Sequence, residues 1–147
     1  FYLNGAPSAN QVASLGTNIK QTSKNDQSIT ELNQEILPIR RLLQNKKYKL
    51  AFSKTKKMSQ SSNRATALLA SLYLKGIGTT KNINKGVNLL RQSARNGDPW
   101  SAFYLAKIYL KGLYNHQRSS KESRKWLNRA AKSGHKKAIS IIAKLKN

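Results

Sequence analysis

Apolar residues recur at a helical rhythm along the second half of the chain, and two of the runs are near copies. Residues 70–76 read ASLYLKG and residues 106–112 read AKIYLKG, 36 positions later. RQSARNG at 91–97 then lines up with NRAAKSG at 128–134, 37 positions on, so the loop between has gained one residue. After each of these glycines another apolar-periodic stretch opens, PWSAFYLAKIYL at 99–110 and KKAISIIAKL at 136–145. Two helical segments per unit, with a period in the mid-thirties, predict helix pairs stacked as a solenoid. A single pair cannot bury its apolar face alone.

Local signals place the helix ends. Gly97 and Gly134 follow runs that finish in alanine and a polar or basic pair, where a left-handed residue closes a helix. Gly76 and Gly112 close the first helix of each pair in the same way, and Pro99 suits the opening turn of the next. Small residues at Ala65, Ala70, Ser101, Ala106, Ala138 and Ala143 are expected to let paired helices approach closely. Leu69, Leu105 and Ile142 are expected to pack between them.

The succession A-x-x-x-L-A/G-x-x-Y-x-x-G, a loop, an apolar pair and A-A-x-x-G resembles the Sel-one-like repeat, a relative of the tetratricopeptide repeats. In one unit the matching residues are Ala65, Leu69, Ala70, Tyr73, Gly76, Gly78, Leu89, Leu90, Ala94 and Gly97. In the next they are Leu105, Ala106, Tyr109, Gly112, Trp126, Leu127, Ala130, Ala131 and Gly134, and the final helix matches through Ala138, Ile142 and Ala143. The resemblance covers residues 63–147. It implies an all-α fold, a short right-handed helix-pair solenoid that binds other proteins and performs no catalysis. Tyr114 departs from the pattern where the first unit has Gly78, so the second loop is not expected to copy the first freely. The acidic and glutamine-rich surface of the family is replaced here by lysine and arginine.

Ahead of the repeats, KKYKLAFSKTKKMSQ at 46–60 carries Tyr48, Leu50, Ala51, Phe52 and Met58, and 45–62 is read as a capping helix from a degenerate preceding unit. Residues 1–44 form an N-terminal helical or disordered tail. A 3-4 spacing runs through Val12, Leu15, Ile19, Thr22, Asp26, Ile29, Asn33 and Ile36, which would suit a coiled-coil stalk. Gly16, the asparagine and serine content and Pro38 argue instead for a loosely helical or disordered segment. Asp26 or Ser28 could cap a helix near 29–37, with Pro38 ending or kinking it.

Charge divides the chain at the same place. Of 147 residues, 28 are Lys or Arg and 5 are Asp or Glu, for a net charge of +23; residues 1–39 carry −1 and residues 40–147 carry +24. Such a surface repels itself and attracts nucleic acid, anionic lipid or acidic protein. Without cysteine there is no disulfide, thiolate site or thiol nucleophile. No apolar stretch reaches the ~18 residues of a membrane span. The chain opens on Phe1-Tyr2-Leu3 without an initiator Met, which suggests a mature form or fragment.

Catalytic constellations are weak. Gly76-x-Gly78 follows a helix rather than a strand and lacks the third glycine of a phosphate loop. Ser53 and Ser133 each stand three before a lysine, a spacing expected by chance in so lysine-rich a chain. Glu31 and Glu35 lie one helical turn apart without a third ligand, and His116 and His135 lack partners along the sequence. No enzyme, metal or cofactor is implied. Trp126 is assigned to helix packing.

Beside the core positions of the first helices runs a second stripe at helical spacing: Arg64, Leu68, Ser71 and Lys75, then Trp100, Tyr104, Lys107 and Lys111, then Lys137, Ile141 and Lys144. It would form a groove with an aromatic centre and basic walls, suited to anchoring an acidic surface or peptide. The alternative is that Tyr104 and Ile141 are core and the lysines merely solvated. The favoured function is a non-catalytic adaptor working within a larger complex, in a bacterial envelope or secretion assembly with a periplasmic or envelope location. The competing one is a nucleic-acid or other polyanion binder. Acidic lipid headgroups are a third destination for the charge.

Overall fold

Four helices of 13 residues each carry the repeats, and the ends of each are set by side chains that suit them. The computed structural model describes residues 31 and 33–146, and among these there is helix and turn but no strand. From Leu37 onward the order is α1 (Leu37–Gln44), α2 (Tyr48–Met58), α3 (Asn63–Lys75), α4 (Ile83–Arg95), α5 (Pro99–Lys111), α6 (Ser120–Lys132) and α7 (Lys136–Leu145). Each helix packs on the next in sequence, which is the connectivity of a solenoid.

Ser62, Asn82, Asp98, Ser119 and His135 stand in extended backbone just before α3 to α7, and each accepts a hydrogen bond from the N–H three residues on. Each bond satisfies a donor that the first turn would otherwise leave open. Gly76 and Gly112 close α3 and α5, both at φ 66°. The adjoining loop needs glycine for a second reason. Gly78 has φ +71°, and a Cβ there would stand 2.2 Å from the Tyr48 carbonyl oxygen, so α2 rests on bare backbone.

The core runs unbroken from α3 to α7. Ala70, Leu74, Val87, Leu90, Ala94, Ala102, Leu105, Ala106, Ile108, Trp126, Leu127, Ala130 and Ala138 form one buried cluster. Ala65 and Ser101 are fully buried as well. Ala143 departs from the sequence expectation and is exposed, because among the described helices α6 alone packs extensively on α7. Ile142 is accordingly half-buried.

The segment before the repeats is more regular than its composition suggests. Pro38 lies in the first turn of α1, where its missing N–H costs nothing, and a turn at Ile36 separates α1 from the helical residues 33–35. Ile36 and Ile39 are buried. α1 packs on α2 and α2 on α3, with Ala51 and Thr55 turned inward and the Thr55 hydroxyl donating to the Ala51 carbonyl. Val12 to Ile29 of the 3-4 spacing, and the caps Asp26 and Ser28, lie outside the described residues.

Two sequence expectations are corrected by the loops. Tyr114 does take the left-handed conformation of Gly78, at φ 55°, and Asn115 follows at φ 59°. The Tyr114 hydroxyl bonds that of Tyr104 at 3.0 Å and its carbonyl bonds His116 Nδ1 at 2.9 Å, which together hold the strained backbone. The histidines are also engaged. His116 Nε2 lies 3.1 Å from an Arg91 nitrogen, while His135 Nδ1 caps α7 and its ring stacks on Phe103 at 4.2 Å. Arg91 and Phe103 are distant in sequence and could not be seen in it, whereas the bonds to Tyr114 and Ala138 are local.

Leu105 is fully buried whereas Leu110, on the same helix, is 51 % exposed. Urea denaturation should show Leu105→Ala losing about 2–5 kcal/mol and Leu110→Ala changing stability by no more than about 0.5 kcal/mol. A second expectation concerns pH. Burial, and then the Arg64 charge, lower the pKa of His135 from its ordinary value. The neutral ring is the one whose Nδ1 can accept from Ala138 N–H. The unfolded chain therefore binds the proton more readily. The stabilisation is complete above about pH 6.5 and is lost as pH falls through the lowered folded value. Thermal melts between pH 8 and 5 at constant ionic strength should show this decline, and His135→Asn, which keeps a capping oxygen, should flatten it.

Candidate partner-binding face

A column of alternating charge and ring crosses from α3 to α5. The Arg64 guanidinium lies 5.8 Å from the centre of the Trp100 ring. Trp100 stacks on Tyr104 with centroids 5.1 Å apart and planes within 7°, and Lys107 Nζ lies 5.9 Å from the Tyr104 ring centre. Positions 100, 104 and 107 share a face of α5 by the 3.6-residue helical period, while Arg64 enters from the preceding unit. Burial, and then the bond to Tyr114, hold the Tyr104 phenol above its usual range. It acts as a neutral hydrogen-bonding group.

Arg64 is fixed. Its Nη1 pairs with Asp98 at 3.4 Å, its Nη2 donates to the Asn33 side-chain oxygen at 2.9 Å, and its side chain is only 12 % exposed. Asp98 itself caps α5 by accepting from Ser101 N–H at 2.7 Å. Arg64 therefore lines the cleft as a paired cation, not a bare one. Its charge is already met by a buried carboxylate, and its remaining surface faces the Trp100 ring.

Beside the column opens a shallow cleft lined by Ile36, Arg40, Arg64, Ala67, Leu68, Ser71 and Trp100. The structure thus brings four of the stripe residues, Arg64, Leu68, Ser71 and Trp100, to one cavity. Tyr104 and Lys107 continue from it along α5. Lys75 and Lys111 are exposed in the last turns of α3 and α5. Lys137 and Lys144 are exposed on α7, while Ile141 is half-buried against the core. Ile36 and Arg40 are the residues that sequence reasoning missed. They lie one helical turn apart across the start of α1, and their only signal was the apolar spacing that ended at Ile36.

A different surface carries a cluster of exposed cations. Lys121, Arg124, Lys125 and Lys132 are exposed on α6, with Glu122 3.7 Å from Lys125. Among the described residues no three His, Cys, Asp or Glu side chains gather as metal ligands, and no helix is long and apolar enough to cross a membrane.

Comparison with known proteins agrees with this architecture. The Sel1 repeat model matches residues 63–98 and 101–135. No curated protein matches the chain. Among solved structures, a Sel1 repeat protein from Oxalobacter formigenes superposes with a TM-score of 0.60 at 27% identity, over 68% of this chain and 42% of its own. The protein c5321, a protective antigen present in uropathogenic Escherichia coli strains and displaying an SLR fold, superposes with a TM-score of 0.54 at 24% identity, over 62% of this chain and 20% of its own. The chain thus spans less than half the length of either. Residues 63–135 thus carry two Sel1 repeats, and the helix pairs they build match the solenoids of Sel1 repeat proteins.

Proposed function

We propose that this chain is a non-catalytic protein-binding scaffold whose partner seats on the α3–α5 face, with Trp100 as its anchor. The observation that carries the proposal is the half-buried Trp100 ring. It is held between Arg64 and Tyr104 at the mouth of a cleft with apolar and hydroxyl lining. A ring held rigid before binding gives up little conformational freedom on contact, which is what an interface anchor requires. Arg40 and Lys107 flank it with positive charge, so an acidic surface or peptide segment is the complementary partner. The Sel1 repeats support the same reading, since solenoids of helix pairs present extended binding faces.

The bacterial sources of the similar structures support a bacterial setting, and the proposal extends to a structural role in an envelope or secretion assembly. A second reading, polyanion binding, is favoured by the exposed cations of α6. The two differ in salt dependence, because phosphate contacts weaken steeply as salt rises.

Pulldown from a native lysate, with nuclease and raised salt, should recover a discrete protein partner. The Trp100→Ala/Lys107→Glu variant should lose it, with affinity falling by at least ~10-fold if Trp100 is an anchor and helicity unchanged by circular dichroism. Recovery of nucleic acid alone, vanishing with nuclease or salt, would sink the scaffold reading.

A further inference from the structure

Helix α7 repeats α5, but among the described residues no second helix covers it as α6 covers α5. Aligning Asp98 with His135, the two capping residues, sets Ala102, Leu105, Ala106 and Ile108 of α5 against Ile139, Ile142, Ala143 and Leu145 of α7. In α5 these positions are between 0% and 3% exposed. α6 covers them, and its Ser123 hydroxyl reaches the Ala106 carbonyl at 2.9 Å. In α7 the counterparts are open: Ile139 is 43% exposed, Leu145 is 62% exposed, and Ala143 is exposed beside a half-buried Ile142. The apolar pattern of a paired helix is present without its pair.

We propose that this face of α7 is a docking site for one amphipathic helix of an acidic protein partner, seated on α7 as α6 is seated on α5. The α5–α6 pair supplies the template. α6 turns Ser123, Trp126, Leu127 and Ala130 inward, so the occupant needs a narrow apolar stripe at the same helical spacing. Charge selects further. Lys146 takes the place of Tyr109, and Lys144 is exposed nearby, so carboxylates on the occupant's flanks meet cations. A second copy of this chain fits less well, since each copy carries a net charge of +23. The site lies on α7 and does not rest on the α3–α5 face.

A synthetic peptide provides the probe. It comprises residues 119–133 with Lys121→Glu, Arg124→Glu, Lys125→Glu and Lys132→Glu, keeping the apolar residues of α6, and it carries a fluorophore. Anisotropy titration with the full chain near 0.15 M salt should show saturable binding. Ile139→Lys should weaken it by at least ~10-fold although the substitution adds a cation. Ile139 is exposed, so the variant should keep its helicity, and Leu110→Lys, another exposed site, should leave binding unchanged. The Trp100→Ala/Lys107→Glu variant should bind the peptide normally, which separates this site from the proposed α3–α5 interface. Absence of binding to the unaltered chain, or binding to Ile139→Lys that is equal or tighter, would overturn the proposal. So would a self-associated form in sedimentation that Ile139→Lys dissolves, because the face would then belong to a second copy.

Discussion

One buried carboxylate joins the first repeat to the second. Asp98 is 2% exposed, and its two oxygens do different work: one caps α5 at Ser101 N–H and the other pairs with Arg64 of α3. A carboxylate taken from water is costly unless hydrogen bonds and an opposite charge replace its hydration. Asp98 has both. Arg64, held by this pair and by Asn33, places its guanidinium over Trp100, which stacks on Tyr104. Tyr104 in turn bonds Tyr114 and steadies the left-handed turn that opens the second loop. The aromatic column therefore depends on a cap that also serves as an ion pair.

The same contact explains what the sequence could and could not reveal. Helix ends follow rules with a range of three or four residues, so Gly76, Gly112, Pro99 and the repeat boundaries were legible. Burial followed the helical period, and Ala65, Ala70, Ser101, Ala106 and Ala138 are buried as that period requires. Ala143 has the same spacing but no described helix packs over it, because periodicity reports which face is apolar and not whether another element arrives to cover it. Arg64 looked like a bare cation because its partner Asp98 lies 34 residues away. Pro38 looked like a terminator, although a proline is equally at home at a helix start, and only the packing of Ile36 and Ile39 decides between the two. Ile36 and Arg40 joined the cleft for that reason without warning.

Charge sets a second constraint. With 28 cations and 5 acids, pairing cannot neutralise the surface. Asp98 is spent internally, and Glu122 is shared with Lys125 on α6. Backbone carbonyls take part of the load instead: Arg129 donates to the carbonyls of Ala94 and Arg95, and Arg118 to that of Leu110. Helix C-termini carry partial negative charge, so cations gathered there are partly compensated without any carboxylate. The rest of the excess faces solvent and gives any acidic partner a favourable field on approach.

Several long-range bonds in the repeats share a length, although Arg91 reaches Tyr109 and His116 of the next unit over 18 and 25 residues. Asn63 to Asn96, Arg64 to Asp98, and Arg129 to Ala94 and Arg95 span 33 to 35 residues, close to one period of the repeat. Part of the fastening between units thus has a standard reach, like couplings on identical carriages. A chain built so can lengthen or shorten by whole cassettes during evolution, since duplication of one period copies both halves of every coupling. Its binding face can be resized without a new fold having to be invented.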